Sequence, residues 1–444
     1  ASRAHPPRAP RRAFGVRSQP RRCLIVIFII FIIFIIFIIF IILIILIILH
    51  HVVLVRLTRG GPVMAIFLTG ATGYIGSYVA AGLLERHPNE RLALLVRAKN
   101  PVEAEERLWK SMQLHMDFER FLELVRTRCD LYLGDLTLPA LGLTPDARDQ
   151  LVKSMDSVLH VAASLNRKSS KACFNVNLRG TLAVLKLARD AQDHHGLRRF
   201  TDISTVAVCG ERQDEVVRED NIVDWDRSDY DPYARTKKFC EHMLHELLPD
   251  VPGVVLRPSI VLGDSRFPET TQFDMVRAFV MLAQMRVLPF KPDWRLDIVP
   301  ADYVSKAIVH IHQVDKPKYD SYNLSSGTSS LTFREIVENL EAQGHPVRHR
   351  FAPWLNGTFT RTVDAAANTP RNWGLSLPAS LLKVFLPYLT FNTVFDNRRV
   401  VEELGEAPRP FNEYALGLLR FARNGNFNYP YLPWPGGAQV RQVA

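Results

Sequence analysis

Tyr233 and Lys237, in the stretch DPYARTKKFCEH, stand four positions apart. On a helix beginning near Pro232 the two side chains share one face. A free phenol titrates near ~10 and is a poor proton donor or acceptor at neutral pH, but a neighbouring ammonium favours the phenolate and lowers that value. Upstream, RRFTDIS runs into STVAVCG and places Ser204 and Thr205 at the end of a predicted strand. A Thr205 hydroxyl there would hydrogen-bond a reacting carbonyl oxygen from the side opposite Tyr233. Tyrosine and lysine at this spacing also occur as exposed helix pairs without chemistry. The assignment therefore depends on what the rest of the chain builds around them.

The elements needed to position them begin at Ala65. AIFLT reads as a short buried strand, GATGYIG follows at once, and SYVAAGLLER carries apolar residues at helical spacing. Strand, glycine turn and helix in that order make a dinucleotide site. Gly70 permits the tight turn, Gly73 lets the backbone approach a pyrophosphate, and Gly76 lets the helix pack closely. The free N–H groups and positive dipole end of the helix, from Thr72 through Tyr74 and Ile75, then face the phosphates. The runs DLYLGDL, SVLHVAA, RRFTDIS and GVVLRPS alternate with helical patterns such as NLRGTLAVLKLARDA. That alternation predicts an α/β fold with a Rossmann-type, doubly wound parallel sheet, joined to a smaller and mainly helical C-terminal substrate-binding part. Ligands bind such sheets at the carboxyl edge, where Thr205 falls.

The second strand, RLALLV, ends at Arg97, 21 residues past Gly76. An acidic residue there would bond the ribose 2′-hydroxyl of NAD, whereas Arg97, with Lys99 and Arg107 nearby, would neutralise the 2′-phosphate of NADP(H). Asp135, at a strand's carboxyl end, could bond the adenine, and Ala162 and Ala163 are small enough to let a cofactor pass. Lys237 could reach the nicotinamide ribose.

Composition narrows the partners. The net charge of +10 comes largely from residues 1–63, which hold nine arginines and no acidic residue, leaving 46 basic against 45 acidic residues in the body. No nucleic-acid partner is expected. Five scattered cysteines (Cys23, Cys129, Cys173, Cys209, Cys240) form no Cys-x-x-Cys pair, and His242 with His245 lacks a third ligand, so no metal site is expected. The unbroken apolar run from Leu24 to Leu49 would extend about 39 Å as a helix, enough to span a membrane. Its strict period of three, with Phe at 28, 31, 34, 37 and 40, suits a translated nucleotide repeat better. The seven preceding arginines would also export the body, away from a cytosolic cofactor. Residues 1–63 are thus read as a mis-assigned start, with Met64 the real one, against a single-pass membrane anchor.

TGATGYIG, STVAV, YARTK and LRPSIVLGDS together resemble the extended short-chain dehydrogenase/reductase family. Within it, LVRAKNPVEAEERL, GDLTLPALGL, VLHVAASLN and NVNLRGT are similar to the thioester reductase and fatty acyl-CoA reductase branch, from about Met64 to Gly327. The resemblance implies that NADPH delivers hydride to an acyl thioester on coenzyme A or an acyl carrier protein, giving aldehyde or alcohol. It implies that Arg97 and Arg107 hold the 2′-phosphate, that Asp135 and Leu136 stand in the family's GDL segment, and that Thr205, Tyr233 and Lys237 are the catalytic set. The tract RKSSKACF departs from the family by lacking its usual tyrosine-containing stretch. No adenylation or carrier domain precedes this region, so the acyl group is expected on a separate molecule.

The chain is expected to divide into a Rossmann domain over 64–265, a substrate lid interleaved with the last sheet elements over 266–365, and an apolar cap and tail over 366–444. The cap resembles the C-terminal region of fatty acyl-CoA reductases, which implies that it closes a substrate tunnel; the alternative is that it lies against a membrane surface. LDIVPADYVSKAIVHI is expected to rejoin the sheet as strand and helix, and NYPYLPWPGG to be an irregular tail. Two other readings share these motifs: an extended-family epimerase, dehydratase or hydroxysteroid/sugar dehydrogenase, and a cofactor-sensing regulator. The regulator reading is disfavoured because Tyr233 and Lys237 are both present.

Overall fold

The computed structural model describes residues 64–370 and 376–435; the apolar run at 24–49 lies outside them. Seven parallel strands form the main sheet: β1 (Ala65–Thr69), β2 (Leu92–Val96), β3 (Cys129–Leu133), β4 (Met155–His160), β5 (Arg199–Ile203), β6 (Gly253–Pro258) and β7 (Ser321–Leu324). Their order is β3-β2-β1-β4-β5-β6-β7, which reverses direction between β1 and β4. Alternate residues of β1 enter opposite cores. Ile66 and Leu68 pack with α1 (Tyr74–Arg86), α2 (Pro101–Met112), α3 (Phe118–Arg128) and a later helix, Ala301–Gln313; Ala65 and Phe67 pack with α4 (Pro145–Ser154), α5 (Gly180–His195) and α6 (Pro232–Leu247). Burial on both faces explains why these strands read as continuous apolar runs.

One local device starts three of the helices. Asn100, Thr144 and Asp231 each accept a backbone N–H at the N-cap while proline takes the next position, which fixes α2, α4 and α6 in place. Before α5, residues Ser170–Cys173 and a π-helical turn at Phe174–Arg179 run on into the helix.

The remaining helices are α7 (Asp274–Gln284), α8 (Ala301–Gln313), α9 (Phe333–Ala342), α10 (Asn356–Ala367), α11 (Ser376–Thr390), α12 (Arg398–Leu404) and α13 (Ala415–Asn424). A third core joins α7, α9, α11 and α13 through residues such as Val276, Leu340, Leu386 and Leu418. Arg199 of β5 is 1% exposed and donates to the carbonyls of Ile311, His312, Val314 and Asp315, capping the end of α8. The LDIV segment does not rejoin the main sheet. Ile298–Val299 pairs with Ile260–Val261 in a separate short ladder, because the place beside β6 is filled by β7. Residues 428–435 have no regular structure but are pinned: Leu432 exchanges two hydrogen bonds with Gln113, and Trp434 packs edge-on against Phe118 at 5.0 Å. No described helix is long and apolar enough to cross a membrane.

Candidate active site

The turn after β1 is built around close contact. Gly70 has φ +83°, and a Cβ there would stand 2.7 Å from the Ala162 nitrogen. A Cβ on Gly76 would collide with the Gly70 carbonyl oxygen. The helix is thereby drawn against its own entry turn. Gly73, the N-cap of α1, offers no side-chain cap, and the first turn carries no acidic residue. The opening N–H groups of α1 are left for an anion. Thr69 and His160, paired across β1 and β4, support this turn from behind. Thr69 Oγ1 accepts from Ala162 N at 3.2 Å and shares a hydrogen bond with His160 Nδ1 at 2.8 Å. His160 Nε2 shares another with Thr181 Oγ1 at 2.9 Å. Burial, reinforced by the Lys237 charge, pushes His160 down to about 3 and keeps it neutral.

A cleft of about 730 Å³ opens at the carboxyl ends of β1 and β4. It brings together Gly70, Thr72, Gly73, Tyr74, Ile75, Gly76, Arg97, Arg107, Asp135, Leu136, Ala162, Ala163, Thr205 and Tyr233. Arg107 has no side-chain partner among the described residues. The Arg97 side chain is 70% exposed and stands 3.8 Å from Asp135 Oδ2. Asp135 Oδ1 is taken by the backbone and hydroxyl of Thr137, both at 2.8 Å. Partial burial raises the Asp135 pKa, but those two hydrogen bonds and Arg97 outweigh it and hold the carboxyl below its ordinary range. A glycine cradle with no room for Cβ atoms and an uncapped helix start fit the phosphates of a dinucleotide.

Lys237 does not line the cleft. It lies behind Tyr233, 1% exposed, with Nζ 3.2 and 3.3 Å from the two oxygens of Asp202 on β5. Burial works against its charge, yet Asp202 prevails and the ammonium titrates well above the ordinary lysine value. Tyr233 is also buried. That burial outweighs the attraction of Arg167 and Lys237 and the Thr205 hydroxyl, so the phenol titrates above its ordinary value. The expected depression by Lys237 is present in sign but is overcome. Thr205 Oγ1 accepts from Ala207 N at 3.3 Å, while the neighbouring Ser204 hydroxyl is buried without a partner.

Asn177, inside NVNLRGT, and α11, inside the expected apolar cap, join the site without being singled out residue by residue in the sequence, as does Arg167. Asn177 sits in the π-helical turn and binds both the N–H and the carbonyl of Ser164 as well as Thr236 of α6. Arg167 bonds Asp231 at 2.7 Å and Tyr388 of α11 at 2.6 Å. Helix α11 adds Leu381, Val384, Phe385 and Tyr388 to the cleft, and Met275 enters from α7. An aromatic and aliphatic wall thus stands across from the phosphate cradle. The described residues contain no cluster of three or more metal-ligating side chains.

A family model described as male sterility protein, an NAD-binding domain, matches residues 68–308, more than half of the chain. The chain is 25% identical over 292 residues to the glycine betaine reductase of Emericella nidulans, covering 63% of this chain and 22% of that protein. With a fatty acyl-CoA reductase of Drosophila melanogaster it shares 24% identity over 327 residues, covering 65% and 62%. The chain thus spans less than two thirds of the length of these curated relatives. Among solved structures, the terminal R domain from the myxalamid PKS-NRPS biosynthetic pathway has a TM-score of 0.69 at 24% identity, covering 83% of this chain and 92% of that one. A thiolation-reductase di-domain from an archaeal non-ribosomal peptide synthetase has a TM-score of 0.62 at 18% identity, covering 83% and 77%. At these identities the structural likeness speaks for the fold. The family match extends from the glycine turn to the helix that Arg199 caps, and with it the chain belongs to the male sterility protein family, in the thioester reductase and fatty acyl-CoA reductase branch of the NAD(P)-binding short-chain dehydrogenases.

Proposed function

We propose that this protein is an NADPH-dependent reductase of acyl thioesters carried on coenzyme A or an acyl carrier protein. The observation that carries the reading is one cleft holding a phosphate cradle, two arginines, a buried phenol and an apolar wall from α11. Gly70, Gly73, Gly76 and the start of α1 would hold the pyrophosphate, and Arg97 and Arg107 the 2′-phosphate. NADPH supplies the hydride. Tyr233, protonated through the neutral range, donates to the thioester oxygen as charge develops on it, and Thr205 gives that oxygen a second hydrogen bond. Lys237, locked by Asp202, holds positive charge behind the phenol and ties α6 to β5. Leu381, Val384, Phe385 and Met275 offer the acyl chain an apolar path and exclude water from the collapsing hemithioacetal.

Incubation of the full chain with NADPH and a panel of acyl-CoAs, followed by loss of nicotinamide absorbance, tests this. Turnover of long-chain thioesters with NADPH preferred over NADH is expected. Turnover of sugar nucleotides or sterols with none of any thioester would overturn it.

A further inference from the structure

Arg167 follows β4 in the tract RKSSKACF, where the chain departs from its family's pattern. Its guanidinium carbon lies 4.6 Å from the centre of the Tyr233 ring and 5.1 Å from that of Tyr388. One nitrogen donates to both Asp231 Oδ2 and the Tyr388 hydroxyl, and the side chain is 16% exposed. A cation over an aromatic face is held by the ring's quadrupole, and held more strongly once that ring carries negative charge. Lys237 is paired with Asp202 as Arg167 is with Asp231, and of the two cations Arg167 is the one placed over the ring.

We propose that Arg167 is a positioning residue for Tyr233: it pins the phenol ring and stabilises the charge left on its oxygen when the proton moves to substrate. What the phenol does in turnover rests on the reductase reading; where the charge lies does not. The groups that face Tyr233 are Arg167 from the loop after β4, Asp231 and Lys237 from its own helix, Thr205 after β5, and Tyr388 from α11. Arg167 and Lys237 favour the phenolate, while Asp231 and burial oppose it.

Ultraviolet difference titration of each variant against the same variant carrying Tyr233→Phe isolates this one phenol. Arg167→Met should move its ionisation up by about one pH unit or more, or out of the accessible alkaline range. Arg167→Lys should restore part of the difference. Asp231→Asn keeps an acceptor at the N-cap but removes the opposing charge, and should move the ionisation down. Opposite shifts from two partners of one ion pair are not what a purely structural role produces. Titration of Arg167→Met at the wild-type position would overturn the proposal, and so would an unmoved Asp231→Asn. Should Arg167→Met fail to fold, Arg167→Gln is titrated in its place and read by the same two outcomes. If both shifts occur but no thioester is reduced, the charge assignment stands and the reductase reading falls.

Discussion

Tyr233 keeps its proton through the neutral range because burial outweighs the cations beside it. In the proposed reaction the reduction consumes that proton, so a phenol titrating above its ordinary ~10 should impose no loss of rate between about pH 6 and 9. A rate profile measured at saturating NADPH checks this, and a fall centred near neutrality would assign the proton to another group. Tyr233→Phe should lower kcat by at least about 100-fold with NADPH affinity changed less than about twofold, read by stopped turnover and by cofactor fluorescence. Arg97→Ala combined with Arg107→Ala should weaken NADPH roughly 10-fold to 100-fold and leave NADH almost unaffected. Equal losses for both cofactors would show that the two arginines do not discriminate.

Two features act at the level of whole elements. The first turn of α1 lies directly on its entry loop, so Gly76→Ala forces the Gly70 carbonyl and α1 apart. An increase in the NADPH dissociation constant of at least about tenfold, with folding retained, is the expected result. The second feature is the buried Glu219, which accepts from the backbone of Asn323 on β7 and of Arg399 on α12. Burial exceeds those hydrogen bonds and raises its carboxyl from 4.5 to about 7. The folded form thus binds the proton more tightly than the unfolded chain. Its contribution is complete below about pH 4.5 and is lost as pH rises towards 7. Buried His160 and half-buried His115, pushed down to about 3 and about 4, oppose this below their ordinary range, since unfolding lets them take up protons. The difference between wild type and Glu219→Gln isolates the carboxyl. Urea unfolding of Glu219→Gln should lose on the order of 2 kcal/mol of that decline between pH 4.5 and 7.

Across the whole molecule, the sequence made legible what is coded by short spacing. The glycine turn, Tyr233 with Lys237, and the strand–helix alternation all lie within windows that periodicity can resolve, and the seven-stranded parallel sheet follows from them. Contacts between distant segments were not legible. Arg167 and Tyr388 are 221 residues apart, and Lys237 meets its carboxylate on a strand 35 residues upstream. LDIV looked like a sheet strand because two apolar residues alternate with nothing to contradict it, yet β7 already held that edge. Helix α11 reaches the cleft from an excursion fixed at both feet. Arg350–Phe351 pairs with Val287–Leu288 before it, and Val394–Phe395 pairs with Val216–Val217 after it. Two such anchors frame an insert whose exchange is a direct test of what α11 contributes. Grafting residues 352–392 from a relative, with Tyr388 kept, should transplant the donor's chain-length preference while dinucleotide affinity stays that of the host.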